Sequence, residues 1–267
     1  MYGEVKEMIQ KIGIFQMDIV FGDPEKNRKK VEEWMMKAYE EGCDTVVLPE
    51  LWTTGYDLKR LDDIAEDEAR DSSSFLTALS KKYSIHIVGG SVANRTGNGV
   101  SNTLLVTDSH GKMVKKYSKL HLFKLMDEHH YLLPGQDDGM FTLQDTKMAG
   151  LICYDIRFPE WFRKHVLMGA QVVFVVAEWP AARIDHWETL LRARAIENQC
   201  FVIACNRVGS DPQNEFGGSS LVIGPWGDIM AKGGKAEELI TANIQLEEVE
   251  HVRKQIPVFQ DRKPDFY

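Results

Sequence analysis

The sequence predicts an α/β protein, one domain whose helices cover a mixed sheet or a pair of sheets. Three observations lead there. Continuous apolar runs too short for helices recur at 45–48 (TVVL), 172–176 (VVFVV) and 200–205 (CFVIAC), as in strands buried on both faces. Segments of helical period separate them. Adjacent strand-like pairs near 102–117 and 219–244 add antiparallel parts to an otherwise parallel pattern. The 267 residues suffice for one large core, and no Ser/Gly linker or low-complexity stretch divides them, so residues 1–267 are expected to form one domain.

In order, 12–19 (IGIFQMDI) alternates as a strand does. Asp23 is placed to cap a helix with Pro24 in its first turn; Val31, Trp34, Met35 and Ala38 mark the buried face and Gly42 the C-terminal stop. The run 45–48 completes a strand–helix–strand unit and ends at Pro49-Glu50. Residues 57–70 are acidic and read as a surface excursion. A second helix starts at Asp71 or serines 72–74, burying Phe75, Leu76, Leu79 and Tyr83. In the strand 85–93, Gly89-Gly90 suggests a bulge or close backbone approach. Asn102–Thr107 and Lys112–Tyr117 read as a hairpin. MAGLIC (148–153) is a buried strand that stops at a cysteine, before a helix starting near Pro159 and running to about Gly169. Asp185 can cap a helix over 186–199, where Arg194 and Asn198 near the core face predict a buried polar network. Residues 207–217 read as a loop, 219–244 as antiparallel strands, and 246–254 as a short amphipathic helix. The tail, about 255–267, has no period, but Val258, Phe259, Phe266 and Tyr267 favour packing.

Two positions invite chemistry on residue type alone. Cys153, between a strand end and a helix start, occupies a nucleophile-elbow position, although most free cysteines are simply small buried hydrophobes. Glu50 follows a buried strand and precedes Leu51-Trp52-Thr53-Thr54-Gly55-Tyr56, too apolar for a solvated loop, which favours a cleft over a surface charge. Residues 117–135 form a third region, irregular and rich in titratable groups. Its histidines allow a metal reading with His121, His129, His130, Asp127 and Glu128. The adjacent His129 and His130 are expected to point apart, however, and no H-x-x-x-H or H-E-x-x-H pairing exists, so no metal and no cofactor are expected. His121 could instead partner Cys153, as in Cys–His enzymes. Glu50 could serve Cys153 as a base, and a lysine of the irregular segment could hold an oxyanion. Residue chemistry alone leaves Lys119 level with Lys115, Lys124 and His121.

A net charge of −8, with no basic run, argues against a nucleic-acid partner. No stretch is long and apolar enough to span a bilayer, and the N-terminus lacks signal-peptide features, so the expected location is the cytoplasm. Cys43, Cys153, Cys200 and Cys205 contain no C-x-x-C pair and are expected to be free thiols.

Four motifs resemble the nitrilase superfamily of carbon–nitrogen hydrolases: LPELWTTGY around Glu50, YSKLHLF around Lys119, DEHHYLLPG around Glu128 and LICYDIRFPE around Cys153. Order, spacing and flanks are similar over nearly the whole chain. The resemblance implies a four-layer α-β-β-α sandwich, commonly dimerised through stacked helical faces with the C-terminal tail crossing to the partner. It also implies a Glu50–Lys119–Cys153 triad, with Glu128 orienting Lys119 and the substrate amide. HLFKLMDEHHYL, CYDIRFPEW and AEWPAARIDHW look most like the bacterial omega-amidase branch, which hydrolyses 2-oxo acid amides such as 2-oxoglutaramate. The expected partners are therefore a small-molecule amide and a second copy of the chain.

In that mechanism the backbone N–H of Tyr154 joins Lys119 at the oxyanion. A substrate carboxylate needs a partner, and Arg157 and Arg183 are candidates because guanidinium binds carboxylate through a bidentate fork. The alternative for Arg157 is a structural pair with Glu160 or Asp155. Tyr56, Phe123 and Trp179 either wall the pocket or belong to the core. The competing functions are another superfamily amidase (deaminated-glutathione or N-carbamoyl type), a metal-dependent hydrolase, and a non-catalytic interaction protein.

Overall fold

The computed structural model describes residues 9–266. Strand β1 (Ile9–Gln16) leads into helix α1 (Pro24–Glu40), where the Asp23 side chain accepts from the Lys26 N–H at 3.1 Å. Val31, Trp34, Met35 and Ala38 are buried as the spacing predicts, together with Asn27. Strand β2 (Thr45–Val47) then runs parallel to β1.

The following stretch departs from its reading as a surface excursion. It holds α2 (Leu61–Ile64) and β3 (Glu66–Asp67), and Leu58 and Leu61 join a small core with Leu51, Tyr56 and Leu132. An acidic residue can be buried here because Glu66 accepts from the Ser72 N–H and hydroxyl and pairs with Arg28. Helix α3 (Arg70–Tyr83) begins one residue before the earliest expected start and is entered from Ala69 with φ +52°, without a side-chain cap.

Strands β4 (His86–Thr96), β5 (Gly99–Thr107) and β6 (Met113–Ser118) form a meander. After α4 (Glu128–Tyr131) come β7 (Met140–Leu143), β8 (Thr146–Ile152), α5 (Pro159–Leu167), β9 (Val172–Ala177), α6 (Ile184–Asn198) and β10 (Phe201–Asn206). The expected 207–217 loop contains a hairpin, β11 (Val208–Ser210) with β12 (Glu215–Gly217). Strands β13 (Leu221–Ile223), β14 (Ile229–Lys232) and β15 (Glu238–Gln245) lead to α7 (Glu247–Gln255) and α8 (Val258–Asp261).

The strands make two principal sheets. One has the order β15-β1-β2-β4-β5-β6, with β3 beside β4; the other runs β14-β13-β10-β9-β8-β7. Thus β15 does not stay with β13 and β14 but crosses to pair antiparallel with β1. The sheets face each other across a core that includes Ile12, Ile14, Val47, Val88 and Leu104 from the first and Leu151, Phe174, Val176 and Ile203 from the second. Helices α1 and α3 cover the outer face of the first sheet; α5 and α6 cover the second. The expected α-β-β-α sandwich is borne out.

Further corrections are local. Helix α6 starts at Ile184, so Asp185 lies in its first turn and makes no side-chain cap; its charge still suits the helix N-terminus. The polar network expected on α6 is present. Arg194 donates to the Ile156 carbonyl through Nε at 3.0 Å and Nη2 at 2.7 Å, and Asn198 donates to the Arg194 carbonyl. In the tail, Phe259 packs between the Arg163 and Arg253 guanidiniums, whereas Phe266 is exposed. Tyr267 lies outside the described residues. Among those residues no helix is long and apolar enough to cross a membrane.

Candidate active site

Glu50 is placed by the bulge at Gly89-Gly90. The β4–β5 register shifts between Val88 and Ser91, and the freed backbone turns toward the end of β2. Ser91 donates its N–H to the Pro49 carbonyl, while its hydroxyl accepts the Leu51 N–H at 2.8 Å and its carbonyl the Trp52 N–H. The Trp52 indole donates to the Gly89 carbonyl. A Cβ on Gly90 would sit 2.0 Å from the Pro49 oxygen, so the close approach requires glycine.

The Glu50 side chain is fully buried and surrounded by donors. Its Oε1 accepts from Lys119 Nζ at 2.8 Å and Asn102 Nδ2 at 2.8 Å, and lies 3.2 Å from the Tyr56 hydroxyl; Oε2 accepts the Glu178 backbone N–H at 2.9 Å. Lys119 follows β6, with its own N–H donated to the Asn102 carbonyl and its carbonyl accepting from Gly135. Its ammonium also reaches Glu128 Oε1 at 2.6 Å, the same oxygen that takes the Tyr56 hydroxyl at 2.6 Å. Glu128 Oε2 accepts the Phe123 N–H at 2.7 Å. Lys124, level with Lys119 on residue chemistry, is exposed.

Cys153 enters from the other sheet. It follows β8 directly, is buried, and has φ +46°, a strained conformation for a residue with a side chain. Asp155 holds the turn. Its carboxylate accepts the Ile152 N–H at 3.0 Å, the Tyr117 hydroxyl at 2.8 Å and the His121 N–H at 3.2 Å, and contacts His121 Nδ1 at 2.8 Å. Tyr117 and His121 flank Lys119 in sequence, so this one carboxylate joins the cysteine turn to the lysine segment. His121 is therefore bound to Asp155 and stacked on Phe158, rather than partnering Cys153. His129 and His130 do not point apart: their rings lie 3.8 Å from each other at the surface.

Burial dominates the electrostatics. It would lower the Lys119 ammonium, but the Glu128 and Glu50 carboxylates outweigh it and raise the group well above its ordinary value, so Lys119 stays charged. Burial raises Glu128 despite the pull of Lys119. Burial and then the Glu50 charge raise the Cys153 thiol well above its ordinary value, so the sulfur keeps its proton at rest. Glu178 is pushed up to about 8 by burial, against the opposing charge of Arg207.

Beside the cluster lies a shelf of rings and cations. Phe123 packs on Tyr154 at 4.7 Å; Arg183 lies over Phe123 at 5.6 Å and Arg157 over Trp179 at 4.9 Å. Arg157 contacts His186 at 3.3 Å, rather than the Glu160 or Asp155 named as its structural partners. Trp179 is buried, and its indole donates to the Arg183 carbonyl. Tyr56 is also buried, with its hydroxyl in the cluster. A cavity of about 360 Å³, lined in part by Phe21, Leu125 and Asn214, meets the cluster at Tyr56.

Sequence reasoning missed Asn102, Asp155 and Glu178. Signals existed for two. Asn102 shares its strand face with Leu104 and Val106, an unexplained polar residue on a core face. Glu178 repeats the strand-then-glutamate pattern of Glu50.

Comparison with known proteins accords with this geometry. The family model described as carbon-nitrogen hydrolase matches residues 11–254. A 2-oxoglutaramate amidase of Bacillus subtilis (strain 168) is 53% identical over 256 residues, covering 96% of this chain and 98% of that protein. Omega-amidase YafV of Yersinia enterocolitica is 34% identical, covering 94% of this chain and 96% of that one. The crystal structure of a carbon-nitrogen hydrolase from Helicobacter pylori G27 superposes with a TM-score of 0.91 at 27% identity, covering 97% of each chain. Since the match runs from the first strand to the helix after the last, the protein belongs to the carbon–nitrogen hydrolase family.

Proposed function

We propose that the protein is an omega-amidase, hydrolysing the terminal amide of a small 2-oxo acid amide to the 2-oxo acid and ammonia. The buried Glu50–Lys119–Glu128 cluster converging on the Cys153 turn carries this reading, and the 2-oxoglutaramate amidase at 53% identity supports the substrate class.

Glu50 takes the thiol proton as sulfur attacks the amide carbon. The thiol is poorly ionised on its own because burial holds its proton, so transfer to Glu50 must accompany attack. The Lys119 ammonium and the Tyr154 N–H receive the oxyanion; removing one such donor typically costs about a hundred-fold or more in rate. Glu50 passes the proton to the nitrogen, the C–N bond breaks, and ammonia leaves a thioester on Cys153. Water then gives a proton to Glu50 and adds to the thioester, the C–S bond breaks, and the proton returns to sulfur. Glu128 and Tyr56 hold Lys119 and Glu50 in register. On the adjacent shelf, Arg157 and Arg183 take the substrate carboxylate, with Phe123, Tyr154 and Trp179 as its walls.

On the same reading the whole chain works as one unit in the cytoplasm, whose reducing conditions suit four buried free thiols. A homodimer through the α5–α6 face accounts for exposed Leu167, Met168 and Ile196, and equilibrium sedimentation measures it. The test of function is ammonia release from 2-oxoglutaramate by the wild type and by Cys153→Ala. Turnover by the wild type alone is expected. Turnover by Cys153→Ala overturns the mechanism, and wild-type inactivity on this substrate while other amides are cleaved overturns the substrate class.

A further inference from the structure

One buried carboxyl–guanidinium pair stands behind the cluster without a step in the chemistry. Glu178 and Arg207 are both fully buried, with Arg207 Nη1 at 2.7 Å from Glu178 Oε2. Such a pair is costly to bury unless its remaining groups are satisfied. The Arg207 side meets that condition: Nη2 donates to the Ile19 carbonyl at 2.9 Å and to Asp18 Oδ1 at 3.0 Å, Nε donates to the Val208 carbonyl at 3.1 Å, and the guanidinium lies 4.2 Å over Phe216, whereas Glu178 Oε1 is buried without a hydrogen-bond partner. The preceding residue, Asn206, grips the next residue of the same turn. Its Oδ1 accepts the Trp179 N–H at 2.6 Å, and its Nδ2 donates to the Trp179 carbonyl at 3.2 Å. Two consecutive side chains at the end of β10 thus hold Glu178 and Trp179, just past the end of β9.

What Glu178 does for the site is done by its backbone. Glu50 Oε1 is already engaged by Lys119, Asn102 and Tyr56, while Oε2 has the Glu178 N–H as its partner. The lone pair open to a thiol proton is therefore on Oε2, and the Glu178 N–H sets its direction. We infer that Arg207 is a positioning residue: by anchoring the Glu178 side chain it fixes the N–H that aims Glu50 at Cys153. This inference rests on the proposed role of Glu50 as the base.

The test uses three variants of the full chain, with kcat and KM for 2-oxoglutaramate. Arg207→Lys keeps the charge but cannot span Glu178, Asp18, Ile19 and Val208 at once. Glu178→Leu combined with Arg207→Met removes the pair without orphaning a charge. Glu178→Gln keeps an acceptor for Arg207. The first two are expected to lose about ten-fold or more in kcat with KM within about two-fold, and Glu178→Gln to stay within about three-fold of wild type. A second readout needs no substrate. In a crystal structure of the Leu/Met variant, Glu50 Oε2 should have left hydrogen-bond distance of the residue 178 N–H. Wild-type kcat in folded Arg207→Lys and Leu/Met proteins, a loss in Glu178→Gln equal to theirs, or an unmoved Glu50 overturns the inference. If the wild type fails to cleave the amide, the proposed reaction fails, and the crystal structure still decides the clamp.

Discussion

Lys119 stands fully buried between two carboxylates, and its removal is not a neutral deletion. Lys119→Met leaves Glu50 and Glu128 buried around one missing charge. Breaking a buried pair in this way costs about 3–5 kcal/mol. Urea unfolding should therefore show a loss of that size, together with loss of turnover; a fully stable but inactive Lys119→Met would mean that the cluster holds an extra proton at rest. Tyr56→Phe is milder. It removes the hydroxyl between Glu128 and Glu50, and kcat should fall by about ten-fold with the fold retained. Glu178 makes a pH-dependent contribution. Its folded value, about 8, lies above the ordinary 4.5, so the folded state binds more protons between the two values. The stability it contributes is fully present below the lower value and is lost as pH rises toward the upper one. Urea midpoints followed from about pH 5 to about pH 9 should favour Glu178→Gln increasingly over wild type. At this scale the sequence was legible where residue type and flanks agree, as at Glu50 and Cys153. Lys119 was separated from its neighbours only by resemblance. Asp155 and Arg207 were illegible because their partners lie far away in the chain, and spacing carries no sign of them.

Among the elements, the Gly89-Gly90 bulge does the most for the site. Gly90 has φ +58°, and an added Cβ would meet the Pro49 carbonyl at 2.0 Å and Trp52 Cδ1 at 2.9 Å. Gly90→Ala must push the Glu50 backbone away. It should lose about 1–3 kcal/mol of stability and about ten-fold or more in kcat, measured by urea unfolding and steady-state kinetics. An active, stable Gly90→Ala would show that Glu50 is held by its side-chain donors alone. The paired glycines signalled this bulge in the sequence. Other elements were less legible for physical reasons. The β4–β5 turn at Gly97-Asn98 joins the strand ends NRT and GVS, where Val100 alone is a large apolar residue, so they carry no apolar alternation. The 207–217 hairpin is short and rich in turn formers, so it has no period to read. Residues 57–70 hid their buried face because Glu66 is inside through ion pairing and hydrogen bonds rather than apolarity.

Across the whole molecule, the cluster belongs to neither sheet alone. Glu50, Lys119 and Asn102 come from the sheet under α1 and α3, whereas Cys153 and Glu178 come from the sheet under α5 and α6. Short buried runs revealed both sets of strands, but the distribution of strands between two sheets was given by resemblance and is absent from periodicity. The crossing of β15 is the clearest case. All eight of its residues pair with β1, from Ile9 with Gln245 to Gln16 with Glu238. On the ribosome, β1 emerges long before β15 and must therefore wait for it, with one edge unsatisfied until then. Nascent chains stalled before residue 238 should be inactive and dependent on chaperones to stay unaggregated. Those extended far enough for Gln245 to clear the exit tunnel should acquire amidase activity in one step.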